Sequence, residues 1–171
     1  LHPKQKVSYP NGEILFNGQD LLKVSDAQMR AIRGARIGMI FQEPMTSLNP
    51  LHTVEKQISE SILLHNKQLA LASSDLKRSK KTPAAVRNKV IELLELVGIP
   101  NPEERLDAYP HQLSGGQKQR VMIAMALANK PDVLIAAEPT TALDVTVQKQ
   151  VLELIKSLQK NLGMSVILNS H

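Results

Sequence analysis

The chain has 171 residues, of which 42% are hydrophobic and 22% charged, with a formal net charge of +5 and no cysteine. This length suits one globular domain with a sizeable core, and the missing cysteines exclude disulfides and thiolate-bound metals. The apolar runs all fall short of the roughly 20 residues of a spanning helix, so no direct membrane insertion is predicted. The modest positive charge has neither an arginine-rich face nor interleaved aromatic residues, so no nucleic-acid partner is predicted.

Strands and helices are predicted to alternate along the chain, which favours an α/β fold with a parallel sheet. Short apolar runs between turn residues predict strands at 13–16, 37–41, 133–137 and 164–168. Apolar residues at helical spacing, with caps at their ends, predict helices at 25–33, 53–65, 83–97, 119–129 and 145–162. Ser25 and Gln28 fit a capping box at the first of these helices. Residues 67–82 are polar, rich in Ser and Lys, and predicted to be an inserted loop.

The stretch LSGGQ at 113–117 predicts an anion site. Its two glycines let backbone N–H groups approach an anion closely, and the helix that follows points its positive dipole end at the same place. The apolar run 133–137 has the composition of a strand buried on both faces. Glu138 follows it directly, at the carboxyl end where open α/β sheets bind their ligands.

LSGGQ, the apolar strand, EPT at 138–140 and ALD at 142–144 together resemble the ATP-binding subunit of an ABC transporter. MTSLNP at 45–50 is similar to the oligopeptide, dipeptide and nickel importer branch of that family. The resemblance implies a P-loop NTPase-like parallel sheet, here incomplete, with an inserted α-helical subdomain. It assigns 1–42 and 131–171 to the RecA-like ATPase core, and 43–130 to a helical subdomain with the signature motif.

The resemblance also assigns cofactor-binding roles across a head-to-tail dimer of two ATPase subunits. In the family, the signature motif contacts the γ-phosphate of ATP bound to the other subunit, and the ALD turn crosses the same interface. The residues that match these positions are Ser114, Gly115, Gly116, Gln117 and Asp144.

Three further residues match catalytic positions of the family. Glu138 matches the glutamate that polarises the attacking water as general base. Gln42 matches the glutamine whose amide reaches Mg²⁺ and that water, in a loop that couples to the membrane subunit. His171 matches the switch histidine that hydrogen-bonds the γ-phosphate, although Asn169 and Ser170 before it depart from the family pattern.

Two other departures concern phosphate and metal binding. No G-x-x-x-x-G-K-[ST] loop occurs in the sequence, and since the family places this Walker A loop upstream of residue 13, a truncated fragment is expected. Ala137 stands where the family has the Walker B aspartate that holds Mg²⁺, so Gln42 is the one remaining metal contact that the resemblance offers. Asp132 cannot replace that aspartate, because five residues of extended strand separate it from Ala137 by roughly 16 Å.

The sequence thus suggests a part of an ATPase subunit that binds and hydrolyses ATP with Mg²⁺ to drive solute import, with peptide the expected cargo. Its expected partners are a second ATPase subunit and integral membrane permease subunits, and its expected place is the cytoplasmic face of the cell membrane. Two alternatives stay open. One is a catalytically inert structural or assembly piece, which Ala137 favours. The other is an ABC-type ATPase that acts on nucleic acid or ribosomes.

Overall fold

The computed structural model describes residues 12–41, 47–66, 82–139 and 144–169. In these ranges the chain contains both strands and helices, and no helix combines the length and apolarity needed to cross a membrane. A 3₁₀ turn at Pro110–Gln112 precedes the signature motif. The elements in chain order are β1 (Leu15–Phe16), β2 (Gln19–Asp20), α1 (Asp26–Ile32), β3 (Ile37–Ile40), α2 (Val54–His65), α3 (Ala84–Leu96), α4 (Pro102–Arg105), α5 (Gly115–Leu127), β4 (Val133–Ala137), α6 (Val145–Leu162) and β5 (Ser165–Asn169).

The main sheet is parallel, as predicted, with strand order β3-β4-β5. Ile37 pairs with Val133, and Val133 pairs with Ser165, so the carboxyl ends of all three strands lie at one edge. The sequence pattern does not predict the second strand of the separate hairpin, in which β2 pairs antiparallel with β1. Asn17 and Gly18 form its turn with positive φ angles of 50° and 78°, the conformation that tight hairpin turns require.

Three helices, α2, α3 and α5, pack against one another beside the sheet. Their apolar stripes meet in one core, where Ile58, Val90 and Ile123 are fully buried. The Oγ1 of Thr53 accepts a hydrogen bond from the N–H of Lys56 at 3.3 Å and caps the start of α2. The predicted insertion at 67–82 falls between α2 and α3 in the sequence, and all of it except Thr82 lies outside the described residues.

The two faces of the sheet differ in burial, which corrects one expectation. Ile40, Leu134 and Ala136 are fully buried on the face that joins the core shared with α5 and α6. On the other face Met39 is 43% and Ile167 is 56% exposed. The prediction that both faces of the strand at 133–137 are buried is therefore wrong, because the described residues leave its second face partly open.

Arg36 connects the amino end of the sheet to the hairpin. The backbone N–H of Asp132 donates to the Arg36 carbonyl at 2.8 Å, and the Asp132 carboxylate forms a salt bridge with the Arg36 guanidinium. That guanidinium also lies over the Phe16 ring, 5.7 Å from its centre. Asp132 is thus engaged at the end of β4 opposite to Ala137.

Gly38 allows β3 to approach the carboxyl end of α5. A Cβ atom at this position would lie 2.7 Å from the Ala126 carbonyl oxygen and 3.2 Å from Pro131 Cγ. The first neighbour is helix backbone, which cannot rotate away. The contact between the sheet and the helix that carries the signature motif therefore requires glycine at this position.

We predict that Gly38→Ala lowers the free energy of unfolding by roughly 1–3 kcal/mol, because the added methyl overpacks this contact. Urea unfolding followed by circular dichroism measures the change. Met39→Ala serves as the control on the same strand, since Met39 is 43% exposed and leaves the contact intact. Equal stability of Gly38→Ala and the wild-type protein would contradict the prediction.

Candidate functional site

The signature motif forms the first turn of α5. Ser114 is its N-cap, with an Oγ that accepts a hydrogen bond from the Gln117 N–H at 3.2 Å. The Oε1 of Gln117 accepts one in return from the Ser114 N–H at 3.0 Å. The predicted start of this helix at residue 119 is wrong, because the reciprocal capping box compensates the low helix propensity of the two glycines.

This turn directs backbone donors away from the helix. The Lys118 N–H already donates to the Ser114 carbonyl at 2.9 Å, and the Gln117 N–H is bound by the cap. The N–H groups of Gly115 and Gly116 have no carbonyl acceptor one turn earlier, as in the first turn of any helix. Together with the helix dipole, they form a favourable place for an anionic group.

A second helix begins beside the first. Asp144 is the N-cap of α6, and its Oδ1 accepts a hydrogen bond from the Val147 N–H at 3.0 Å. Gly116 permits the close approach of the two helices, since a Cβ there would lie 2.9 Å from Val147 Cγ1. Two positive helix ends therefore converge, with the Asp144 carboxylate at their margin.

Between these helix ends lies a pocket of about 370 Å³, here called the signature pocket. It brings together all five predicted cofactor-binding residues, from Ser114 to Gln117 and Asp144. Its further walls were not identified from the sequence. The lining residues are Ser114, Gly115, Gly116, Gln117, Arg120, Asp144, Val147 and Gln150.

Arg120 is the additional residue of most chemical interest in this pocket. Its Nη1 donates a hydrogen bond to the carbonyl of Val97. Val97 is the C-cap residue of α3. Gly98 follows with φ of +71°, and a Cβ there would lie 2.8 Å from that nitrogen. Arg120 thus links α5 to the carboxyl end of α3, and it is also one of the residues that line the signature pocket. Arg120 lies three residues after Gln117 and Gln150 lies three after Val147, but no sequence signal shows that the two helices lie side by side.

The carboxyl end of β4, Ala137 and Glu138, is here called the strand end. Ala137 pairs with Asn169 on β5, and the Glu138 N–H donates to the Asn169 carbonyl at 2.9 Å. Glu138 has φ of +46°, a left-handed conformation that is costly for a residue other than glycine. Its side chain is partly buried. The backbone therefore departs from extended strand geometry at Glu138, directly after β4.

The remaining predicted residues lie outside the described part of the chain. These are Gln42, His171 and the two residues before Asp144 in the ALD segment, Ala142 and Leu143. The metal prediction, which names Gln42, therefore also lies outside the described residues. In residues 12–41, 47–66, 82–139 and 144–169, no group of three or more His, Cys, Asp or Glu side chains is placed to hold a metal ion.

A second concavity of about 590 Å³, here called the β3 groove, lies between the outer edge of β3, α2 and α5. Its walls include Met39, Phe41, Leu64, Met122 and Met125. Leu64 is 77% and Phe41 55% exposed, so the groove presents a largely apolar surface. Phe41 is also the last described residue before 42–46, the segment that contains Gln42.

We predict that Gly116→Ala destabilises the protein by roughly 1–3 kcal/mol, because its methyl would be forced against Val147. Removing the opposing methyl groups in the double variant Gly116→Ala/Val147→Ala should recover part of that loss. The coupling between the two substitutions, measured by urea unfolding, is expected to be about 0.5–3 kcal/mol. Strictly additive effects would show that the α5–α6 approach does not depend on this contact.

The sequence resembles proteins of known family over most of its length. Residues 4–141 match the family described as ABC transporter. Over all 171 residues the chain is 53% identical to the dipeptide transport ATP-binding protein DppD of Bacillus subtilis, and it covers 47% of that protein. It is 55% identical to the peptidoglycan transport ATP-binding protein YejF of Agrobacterium fabrum, of which it covers 29%. The chain thus spans less than half the length of these relatives.

Solved structures give the same answer for the fold. An ATP-binding cassette solved as a dimer in a post-hydrolysis state, bound to ADP and Pi, matches with a TM-score of 0.73 at 28% identity, over 95% of this chain and 63% of that one. The protein cbiO1 of Clostridium perfringens, part of the ABC transporter complex cbiONQ, matches with a TM-score of 0.70 at 31% identity, over 95% and 57% of the two chains. The α/β fold is therefore that of ABC ATPase cassettes, and the chain belongs to the ABC transporter family.

Proposed function

We propose that this chain is part of the ATPase subunit of an ABC importer, in which ATP binding and hydrolysis drive the uptake of peptides. The peptide assignment rests on the similarity to transport ATP-binding proteins such as DppD of Bacillus subtilis, at 53% identity over the whole chain. The MTSLNP segment at 45–50 points to the same branch. Since the chain covers only part of these relatives, the activity is proposed for the complete subunit.

The signature pocket is the observation that carries this proposal. Two helix N-termini border a pocket of about 370 Å³, which is large enough for a terminal phosphate group, and Arg120 also lines this pocket. Backbone donors and an arginine are the groups that bind phosphate in proteins. We propose that the pocket binds the γ-phosphate of ATP that is held by a second ATPase subunit.

At the strand end, we propose that Glu138 accepts a proton from the attacking water as general base. Its position directly after the carboxyl end of β4 and its positive φ angle support this role. Gln42 and His171 are proposed to orient that water and to contact the γ-phosphate. Mg²⁺, where bound, neutralises phosphate charge, but the described residues do not fit a metal site because Ala137 has no oxygen in its side chain.

We propose the domain assignment and the partners of the subunit from the family resemblance. Residues 1–42 and 131–171 would belong to the ATPase core, and 43–130 to the helical subdomain that carries the signature motif. A second ATPase subunit would bind head to tail, and permease subunits would hold the pair at the cytoplasmic face of the membrane. The dimeric state of a similar ATP-binding cassette supports the first of these partners.

Experiments can distinguish two alternative functions from the proposed one. A catalytically inert piece is favoured by Ala137 and predicts no effect of the signature pocket on any nucleotide-dependent step. An ATPase that acts on nucleic acid or ribosomes predicts copurification with those partners instead of permease subunits. No described feature favours this last function.

We predict that Gln117→Glu weakens ATP-dependent pairing and ATP hydrolysis of the complete subunit by roughly tenfold or more, because it adds a negative charge beside a bound phosphate. The substitution preserves the fold, since a glutamate oxygen can accept the Ser114 N–H and a negative charge stabilises a helix N-terminus. Size-exclusion chromatography with ATP and a phosphate-release assay measure the two effects.

Gln28→Glu is the matched control for this experiment. Gln28 forms the same capping box with Ser25 at the start of α1, where its Oε1 accepts the Ser25 N–H at 2.9 Å. It lies outside the signature pocket, so pairing and hydrolysis should stay unchanged. Equal behaviour of the two variants would exclude the signature pocket as a phosphate site.

We propose the β3 groove as the surface that docks a permease subunit through an amphipathic helix. Its apolar walls, from Met39, Phe41 and Leu64, suit the apolar face of such a helix. His65 and Arg33 line the same groove and offer polar contacts for the other face of the helix. Phe41 lines the groove and directly precedes, in the sequence, the segment 42–46, which the family resemblance relates to membrane coupling.

We predict that Leu64→Asp reduces copurification of the complete subunit with its permease partners by roughly tenfold, because it places a charge in an apolar contact. Leu152→Asp is the control, since Leu152 is an exposed leucine of α6 outside the groove. Affinity purification from detergent-solubilised membranes measures the ratio of subunits. Retention of the permease by both variants would rule out the groove as the docking surface.

A further inference from the structure

Gln57 is a buried polar residue in the first turns of α2, and only 4% of its surface is exposed. Its Oε1 accepts a hydrogen bond from the Asn49 N–H at 2.8 Å. Its Nε2 donates to the Asn49 carbonyl at 3.3 Å and to the His52 carbonyl at 2.9 Å. One side chain therefore makes three hydrogen bonds to the backbone of the turn at 49–52, which lies just before α2.

The turn at 49–52 adds little apolar burial of its own, since Leu51 is 81% exposed. The Leu51 N–H donates to the Asn49 Oδ1 at 2.9 Å, and the His52 N–H donates to the Asn49 carbonyl at 3.2 Å, so both bonds stay within the turn. The Nε2 of His52 lies 2.9 Å from the Nζ of Lys56, but this contact is exposed to water. Gln57 thus provides buried hydrogen bonds that connect the turn to α2.

The helix that carries Gln57 is itself firmly placed. Ile58 is fully buried in the core, and the Glu55 N–H donates to the Leu106 carbonyl at 2.9 Å. α2 also packs against α5, whose first turn is the signature motif. The turn at 49–52 is therefore connected through Gln57 to the helices beside the signature pocket.

The turn at 49–52 also follows, in the sequence, the short chain that begins at Gln42. Before this chain, Ile40 pairs with Ala136 in the sheet. After it, Gln57 holds Asn49. Fixing both ends of a short chain restricts the conformations that are open to the residues between them.

We propose that Gln57 is a positioning residue for ATP hydrolysis, which fixes the chain after Gln42 relative to the helix of the signature motif. The inference rests on the proposed role of Gln42 in orienting the attacking water. Gln57 acts through the backbone of the turn and not on the nucleotide. Its hold on the turn matters because a displacement of about 1 Å at a catalytic group can lower a rate by roughly a hundredfold.

The variant Gln57→Met tests this hold, because methionine has a similar length and makes none of the three hydrogen bonds. Hydrogen exchange followed by mass spectrometry reports on the backbone N–H groups of 49–52 in the complete subunit. We expect their exchange to become roughly tenfold faster in Gln57→Met.

Arg87→Met is the matched control, because it also removes a contact of α2. The Arg87 Nη1 lies 3.3 Å from the Glu55 Oε1, away from the turn at 49–52. This variant leaves the three hydrogen bonds of Gln57 in place, so exchange at 49–52 should stay unchanged.

Hydrolysis is then measured in the assembled transporter, with the complete subunit as the component that varies. Gln57→Met should lower kcat by roughly tenfold to a hundredfold and leave the KM for ATP within about twofold, because the signature pocket is unchanged. Gln42→Ala should lower kcat as well. The double variant Gln42→Ala/Gln57→Met should be no slower than Gln42→Ala, since a positioning residue has no effect once the positioned side chain is removed. Arg87→Met should keep the kcat of the wild-type subunit.

The outcomes separate this inference from the proposed function. Unchanged exchange at 49–52 in Gln57→Met would overturn the inference, because the turn would not depend on Gln57. Independent losses of kcat from Gln42→Ala and Gln57→Met, which multiply in the double variant, would overturn it too, as would an equal loss in Arg87→Met. Wild-type hydrolysis by Gln42→Ala would instead contradict the proposed function at Gln42.

Discussion

The close approach of α5 and α6 determines the geometry of the whole candidate site. Gly116 sits where a Cβ would lie 2.9 Å from Val147, so the first turns of the two helices nearly touch. Each turn is closed by its own side-chain cap, Ser114 in one case and Asp144 in the other. Each cap accepts an N–H of its own helix, and the first turns of both helices line one pocket. Arg120 extends this arrangement to the carboxyl end of α3.

The sequence predicted the parts of the fold that depend on local chemistry. β4 and α6 have the predicted bounds, since an apolar run and an N-cap followed by an apolar stripe are local signals. The capping box of Ser25 and Gln28 is confirmed for the same reason. The early start of α5 was missed, because glycine propensity and capping act in opposite directions and the cap prevails.

Features that depend on the packing of distant segments could not be predicted. An apolar run such as 133–137 does not indicate whether one or both faces of the strand are buried. In this structure one face of the strand is only partly buried. The contact of Arg120 with Val97 joins residues on two separate helices, so no short motif contains it. Asp144 was singled out from its motif, but Val147 and Gln150 reach the signature pocket only because α6 lies beside α5.

The signature pocket and a metal site at the strand end depend on different chemical groups. A substitution can therefore remove the metal site and leave the signature pocket intact. The signature pocket is made largely of backbone N–H groups and helix ends, which many side-chain changes leave intact. A metal site at the strand end depends on a single carboxylate, which a substitution to alanine removes completely without disturbing β4. The regular pairing of Ala137 with Asn169 shows that the strand tolerates this residue. The fold of this chain therefore permits an intact signature pocket beside a strand end that has no carboxylate at residue 137.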